Sequence, residues 1–470
     1  MTNFQLPLTI KETQEGLIGK KFSAVELIDS YLTRINKYNK KLNIFLTVTQ
    51  EVAYMQAKKT DRLICDYGNK AFADYPLLGV TVAHKDLFLT KGIRTTAGSK
   101  VLESYIPPYS ATVVEKLEKA GCIVLGKTNC DAWAHGSSGE NSDYGPTKNP
   151  WHKEYVPGGS SSGSGAALAA NFSLIATGTD TCGSIRLPAN YSYSYGLKPT
   201  YGAVSRYGVV AMASSLDTVG HLGRCAEDME KVFQITKGAD FKDSTLAERK
   251  KESPKARIRI GIPGDFFANG VDGEINKNIQ RAIEIFKKAG IEFREISLPY
   301  TKYAISVYYI IQPAEVSSNL SRYDGIRYGE SRNLFGEEAK RRIMLGTYVL
   351  SSGYYDAYYL KAMKVRSKII DDLNKVFDQV DAIIAPVAPT PPFKIGEKVD
   401  DPLKMYLTDI FAATANLSGT PALAVPFGFS KEKLPLGFQL MGSRFSEYTL
   451  FALAKLFEEA AGYKAKVANL

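Results

Sequence analysis

Apolar positions recur at helical spacing through the first part of the chain. Ala24, Leu27, Ile28, Tyr31, Leu32 and Ile35 fall on one helix face, and Ser23 stands where an N-cap accepts backbone N–H groups. Residues 8–60 therefore read as helices. Beyond residue 76 the pattern changes, and short apolar runs alternate with amphipathic stretches. Leu78-Gly79-Val80-Thr81-Val82-Ala83 predicts a buried strand, residues 111–120 a helix, Cys122-Ile123-Val124-Leu125 the next strand, and Leu174-Ile175-Ala176-Thr177 another. After a polar, charged connector over 240–256 the theme returns. Strands are predicted over 258–262, 291–296, 381–385 and 437–440, with helices over 273–289 and 446–461. A Pro-rich loop runs on to Phe393. Such alternation argues an α/β fold with a substantially parallel sheet. No internal repeat appears, and the theme runs throughout, so one domain over 1–470 is expected. Its parts are a helical region over about 1–70, a core over about 75–230, and a later region over about 257–470.

Composition narrows the class. With 470 residues, 44% hydrophobic and 23% charged, the chain can bury a large core and is not a disordered segment. The net charge is +10, yet no run of five like charges exists. The densest basic group, Arg249-Lys250-Lys251 with Lys255 and Arg257, reads as a solvated connector. Five cysteines without a C-x-x-C pair suit a reducing compartment, and four scattered histidines offer no metal motif. No secretory signal and no long apolar window is visible, so no membrane span is expected. The expected location is a bacterial-type cytoplasm, or an organelle after processing.

Two motif matches fail on context. Gly121 to Thr128 fits the phosphate-binding pattern G-x-x-x-x-G-K-[ST], but its middle residues, Cys122-Ile123-Val124-Leu125, are the strand itself. Amides committed to a sheet cannot wrap a phosphate. Gly159-Ser160-Ser161-Ser162-Gly163 fits a nucleophile elbow centred on Ser161. Pro157-Gly158 precedes it in place of a strand, and the only later histidine is His221.

Three segments carry the chemistry. The first is a Gly/Ser loop, Pro157 to Gly165, entering an Ala-rich helix; helix N-termini offer free N–H groups. A flexible linker would not sit between a strand-rich core and a helix that must pack. The second is Gly178-Thr179-Asp180-Thr181-Cys182-Gly183-Ser184-Ile185-Arg186, whose small residues let successive amides converge, as an oxyanion requires. The third is His84-Lys85-Asp86 at a strand end. A desolvated lysine there loses its proton readily and becomes a base, although a buried lysine is more often ion-paired.

Together these segments resemble the amidase signature family. That resemblance implies an α/β fold with a large mixed central sheet covered by helices on both faces. It implies a Ser–cisSer–Lys triad, with Ser184 as nucleophile, Ser160 as the bridging serine after a cis peptide bond, and Lys85 as the base. The oxyanion-hole amides fall on Thr181, Cys182 and Gly183. Ser162 and Cys182 stand where glycine is usual, Leu187 where Gln is usual and Leu87 where Asn is usual. Cys182 would crowd the hole if its position required φ > 0.

The resemblance extends nearly end to end, to the branch that serves as A subunits of tRNA-dependent amidotransferases. The segments that carry it include Tyr308 to Ile311, Ser317 to Gly329, Arg341-Arg342-Ile343, Ser351 to Tyr359 and Asp401 to Tyr406. The stretch between Gly329 and Lys340 is shorter than usual. By this resemblance Arg342 would hold the α-carboxylate of glutamine, Asp409 its α-ammonium, and Tyr308 would line the pocket. Arg342 taken alone reads as a solvated helix charge. The branch implies hydrolysis of glutamine to feed transamidation of Glu-tRNA(Gln), Asp-tRNA(Asn) or both. It further implies no metal or cofactor on this chain, ATP and Mg²⁺ on a B subunit that also meets charged tRNA, and a small C subunit bracing the heterotrimer. A stand-alone amidase on another small amide, or a catalytically silent scaffold, are the other readings.

Overall fold

The predicted first long helix forms over Ala24–Leu42, opened by Ser23 in a capping box with Glu26. Its six periodic apolar residues are all buried. The computed structural model describes residues 4–247, 257–267, 270–326 and 329–470. Arg249, Lys250, Lys251 and Lys255 of the basic group, Arg327-Tyr328, and Met1 to Asn3 lie outside the described residues.

Among the described residues, one eleven-stranded sheet organises the fold. Its strands are β1 (Phe45–Val48), β2 (Thr81–Lys85), β3 (Ile123–Thr128), β4 (Ile175–Asp180), β5 (Tyr195–Lys198), β6 (Thr218–Gly223), β7 (Arg259–Pro263), β8 (Glu292–Ile296), β9 (Ala382–Ala385), β10 (Ala422–Phe429) and β11 (Pro435–Gly442). They lie in the order β1-β3-β2-β4-β6-β5-β10-β11-β9-β7-β8. The sheet is mixed, which corrects the expectation of a substantially parallel one. Parallel pairing is confined to β3-β2-β4 and β8-β7-β9, while the strands between them run antiparallel. The parallel parts come from the β-α-β stretches the sequence shows; in the antiparallel centre the sequence shows β11 but not β5, β6 or β10. Every residue of β2, β3, β4, β6 and β11 is buried, as a sheet covered by helices on both faces requires.

Two further differences matter for the site. Residues 8–60 are not all helical, because β1 interrupts them as an edge strand against β3. The strand beginning near Leu78 starts later, at Thr81, and so ends on Lys85 itself. The phosphate-loop match is a strand: Ile123–Thr128 is wholly buried within the ladder.

Candidate active site

Lys85 closes β2, and Ser160 lies just before the helix Ser162–Ala169. The loop and helix are no linker, since residues 155–200 are buried throughout. Close approach explains the small residues: a Cβ on Gly163 would lie 2.6 Å from the Ile44 carbonyl oxygen and 2.7 Å from the Asn129 amide. The Gly159-Ser160 peptide is cis. Lys85 Nζ donates to Ser160 Oγ at 2.7 Å and to Thr179 Oγ1 at 2.8 Å. Neither Lys85 nor Ser160 reaches solvent. Burial pushes the Lys85 pKa down to about 8, against the raising pull of Cys130 and of carboxylates that include Asp131 and Asp180.

Ser184 follows β4 in a loop that Asp180 holds. The Asp180 carboxylate accepts from the amides of Gly183 at 2.7 Å, Ile185 at 3.2 Å and Arg186 at 3.4 Å. Arg186 Nε pairs with the same carboxylate at 3.1 Å, and its other nitrogens reach Gln439 Oε1 at 2.8 Å and Asn416 Oδ1 at 2.7 Å. Burial alone would raise the Asp180 carboxyl; the charge and hydrogen bond of Arg186, with Lys198 and the Gly183 amide, together outweigh it and hold the pKa at about 2. The Ser184 carbonyl accepts from the Ser161 amide at 3.2 Å, which ties the nucleophile loop to the Gly/Ser loop. The Ser184 hydroxyl itself makes no hydrogen bond among the described residues, and the residue is 7% exposed.

The three expected oxyanion amides divide. The Gly183 N–H is committed to Asp180, whereas those of Thr181 and Cys182 have no protein acceptor among the described residues. Thr181 is anchored by its hydroxyl, which donates to Asp217 Oδ1 at 2.7 Å. The left-handed backbone falls on Gly183, at φ +93°, and not on Cys182. The Cys182 side chain packs into an apolar cluster with Leu216, Tyr308 and Phe411. The crowding expected at Cys182 therefore does not arise from its backbone.

Beside this loop stands the second half of the site. A Cβ on Gly183 would come 2.7 Å from Ala412 Cβ and 4.0 Å from Asp409 Oδ1. Asp409 Oδ2 accepts from Ser137 Oγ at 2.6 Å and from Tyr309 OH at 3.4 Å. Burial pushes the Asp409 carboxyl up to about 7, against the lowering effects of Ser137 and Arg342. Arg342, on the helix Glu337–Leu350, is 3% exposed, so it is not the solvated charge that its basic neighbours suggest. Its guanidinium lies over the rings of Tyr309 at 5.4 Å and Tyr406 at 5.7 Å. A narrow cavity of about 60 Å³ opens here, lined by Ser137, Glu338, Arg342 and Tyr406 among others. Tyr308 is buried nearby and meets Tyr309 edge-on at 4.9 Å, but it is Tyr309 that bonds Asp409.

Sequence reasoning missed Thr179, Ser137, Tyr309 and Glu338. Thr179 had a signal, since it stands in the same Gly178-to-Arg186 run as Ser184. The rejected elbow stays rejected: Ser161 Oγ donates to the Thr179 carbonyl at 3.3 Å, and His221 Nε2 bonds Thr236 Oγ1 at 2.7 Å and no serine.

The amidase family model matches residues 26–451. The A subunit of glutamyl-tRNA(Gln) amidotransferase from Geobacter metallireducens is 48% identical over 485 residues, covering 98% of this chain and 99% of that protein. Its counterpart from Vesicomyosocius okutanii is 49% identical over 472 residues, covering 96% of each. The crystal structure of the Thermotoga maritima counterpart superposes with a TM-score of 0.82 at 38% identity, over 99% of this chain and 98% of that one. A likeness that spans both the sheet and the buried Lys85–Ser160 pair leaves one conclusion: the chain belongs to the amidase signature family, and its full-length similarity is to glutamyl-tRNA(Gln) amidotransferase A subunits.

Proposed function

We propose that this chain hydrolyses glutamine to glutamate and ammonia, as the glutaminase component of a tRNA-dependent amidotransferase acting on Glu-tRNA(Gln), Asp-tRNA(Asn) or both. The observation that carries the reading is the 2.7 Å contact of a fully buried Lys85 with Ser160, set against the Ser184 loop. The names of the full-length relatives support the physiological setting.

The chemistry follows from the residues. Lys85 in its neutral form takes a proton from Ser160 as Ser160 takes one from Ser184. That relay closes when the Ser184 hydroxyl turns toward Ser160. Ser184 Oγ bonds to the side-chain amide carbon of glutamine, and the carbonyl oxygen becomes an oxyanion. The Thr181 and Cys182 amides meet that charge; Gly183 instead serves the loop through Asp180. The proton returns through Ser160 to the amide nitrogen, the C–N bond breaks and ammonia leaves. Water then attacks the γ-glutamyl ester on Ser184, giving up its proton by the same relay, and glutamate departs.

Arg342 and Asp409 supply the selectivity. A free amino acid presents a carboxylate and an ammonium, and one buried cation with one buried anion meets both. The two terminal nitrogens of Arg342 make no hydrogen bond among the described residues, which leaves them for a carboxylate. Tyr308 backs the wall. Nothing in these steps requires a cofactor on this chain. ATP and Mg²⁺ belong, on this reading, to a B subunit that receives the ammonia and charged tRNA, with a C subunit bracing the pair. The setting on this reading is a bacterial-type cytoplasm. Among the described residues no helix is long and apolar enough to cross a membrane.

The test is ammonia release from glutamine by wild type, Ser184→Ala and Ser161→Ala. Loss in Ser184→Ala with activity kept in Ser161→Ala supports the assignment. Full activity in Ser184→Ala overturns it.

A further inference from the structure

Glu338 lies one turn before Arg342 on the helix Glu337–Leu350. Its Oε1 accepts from Arg342 Nε at 2.8 Å and from Tyr406 OH at 3.0 Å, and its Oε2 accepts from Arg341 Nη1. This is not an ordinary exposed helix pair, of the kind that contributes little. The side chains of Glu338 and Arg342 are 11% and 4% exposed. Taking the Nε edge of a guanidinium fixes the plane of the fork and leaves its two terminal nitrogens side by side, the geometry that grips a carboxylate.

The same carboxylate reaches the other end of the site. Tyr406, held by Glu338, stacks on Tyr309 with ring centroids 3.9 Å apart. Tyr309 in turn donates to Asp409 Oδ2 at 3.4 Å. Glu338 thus joins Arg342 to Asp409 through two stacked rings, and the spacing between the cation and the anion depends on it.

We infer that Glu338 is a positioning residue that sets the preference for a free α-amino acid amide, by orienting Arg342 and fixing its distance from Asp409. It touches neither the reacting carbon nor the relay. This inference rests on the reading that Arg342 receives the α-carboxylate.

The test compares two substrates on the full-length chain: glutamine, and 4-aminobutanamide, which is glutamine without its α-carboxylate. The quantity read is the ratio of kcat/KM between them. In Glu338→Ala that ratio falls by about tenfold, mainly through a raised KM for glutamine. Glu338→Gln recovers most of the preference, because its amide oxygen still accepts from Arg342 Nε. Tyr406→Phe, which leaves the helix and Glu338 in place, lowers the ratio by roughly threefold. Equal losses on both substrates in Glu338→Ala and Tyr406→Phe, or an unchanged ratio, overturn the inference. Arg342→Ala runs beside them. If it abolishes the preference while Glu338→Ala keeps it, only the role of Glu338 fails. If Arg342→Ala itself keeps the preference, the pocket reading fails and takes this inference with it.

Discussion

Gly183 and Asp180 are joined by a 2.7 Å hydrogen bond from the glycine amide to the carboxylate, within the loop that carries Ser184. That bond commits the Gly183 amide to the loop itself, so on the proposed mechanism it does not serve the oxyanion. Glycine stands at 183, while a cysteine is accepted at 182, for a reason of backbone and space. Gly183 is left-handed at φ +93°, and a Cβ there would meet Ala412 at 2.7 Å. Cys182 has neither constraint. Gly183→Ala is therefore expected to lose turnover and to melt at lower temperature. Cys182→Ala is expected to keep turnover and lose only about 1 kcal/mol of stability from its small buried side chain. Thermal melts beside the ammonia assay check both.

On the proposed mechanism, the Lys85 pKa of about 8 sets the pH dependence of turnover. The neutral amine is the active form, so kcat at saturating glutamine should rise with pH through about 8 and then level. About a tenth of the amine is neutral near pH 7 and about nine-tenths near pH 9. Lys85→Arg cannot supply a neutral base, and its kcat should fall by at least ~100-fold at every pH. A flat kcat profile across this range would contradict the role.

On the proposed reading of the pocket, Asp409 gives the binding step a different profile. Its carboxyl, raised to about 7 by burial, must be ionised to attract the α-ammonium. The KM for glutamine should therefore climb as pH falls below about 7, with the protonated fraction growing. Asp409→Asn removes the charge at all pH values, so its KM should be high and should no longer vary across that range. Initial-rate measurements at several pH values separate this effect from the kcat profile of Lys85.

The Asp180–Arg186 pair predicts a loss of stability. Both side chains are fully buried, and Arg186 also holds Gln439 on β11 and Asn416. Arg186→Ala leaves a buried carboxylate without its cation, and should cost about 3–5 kcal/mol of stability. Denaturant unfolding checks it. A change under about 1 kcal/mol would show that the loop is held by other means.

The legible parts of the fold and site are those where the signal is local. Lys85, Ser160 and Ser184 stand in short runs whose residue types are unusual together. The helix Ala24–Leu42 shows its capping box and apolar face directly. Strands β7, β9 and β11 announce themselves as short apolar runs, whereas β8, with Glu292, Arg294 and Glu295 among its five residues, is legible only as the second strand of a β-α-β stretch. By contrast, β6 carries two glycines and a histidine in Thr218–Gly223, and β10 contains Pro426 and Gly428 around a register shift. Neither reads as a strand until its partners are known. Two of the missed site residues are likewise long-range: Ser137 meets Asp409 across 272 positions of chain, and Tyr309 meets it across 100. Nothing near Ser137 marks it for that role. Arg342 reads as a surface charge because its burial comes from Tyr309 and Tyr406, both distant in sequence.

The central claim is that Ser184 forms a covalent γ-glutamyl ester. It is tested most directly by acid-quenching the enzyme during glutamine turnover, then mapping the acylated peptide by mass spectrometry. The account predicts one glutamyl group on Ser184, absent from Ser184→Ala. A glutamyl group on Ser161 or Ser160, or one that persists in Ser184→Ala, would contradict it.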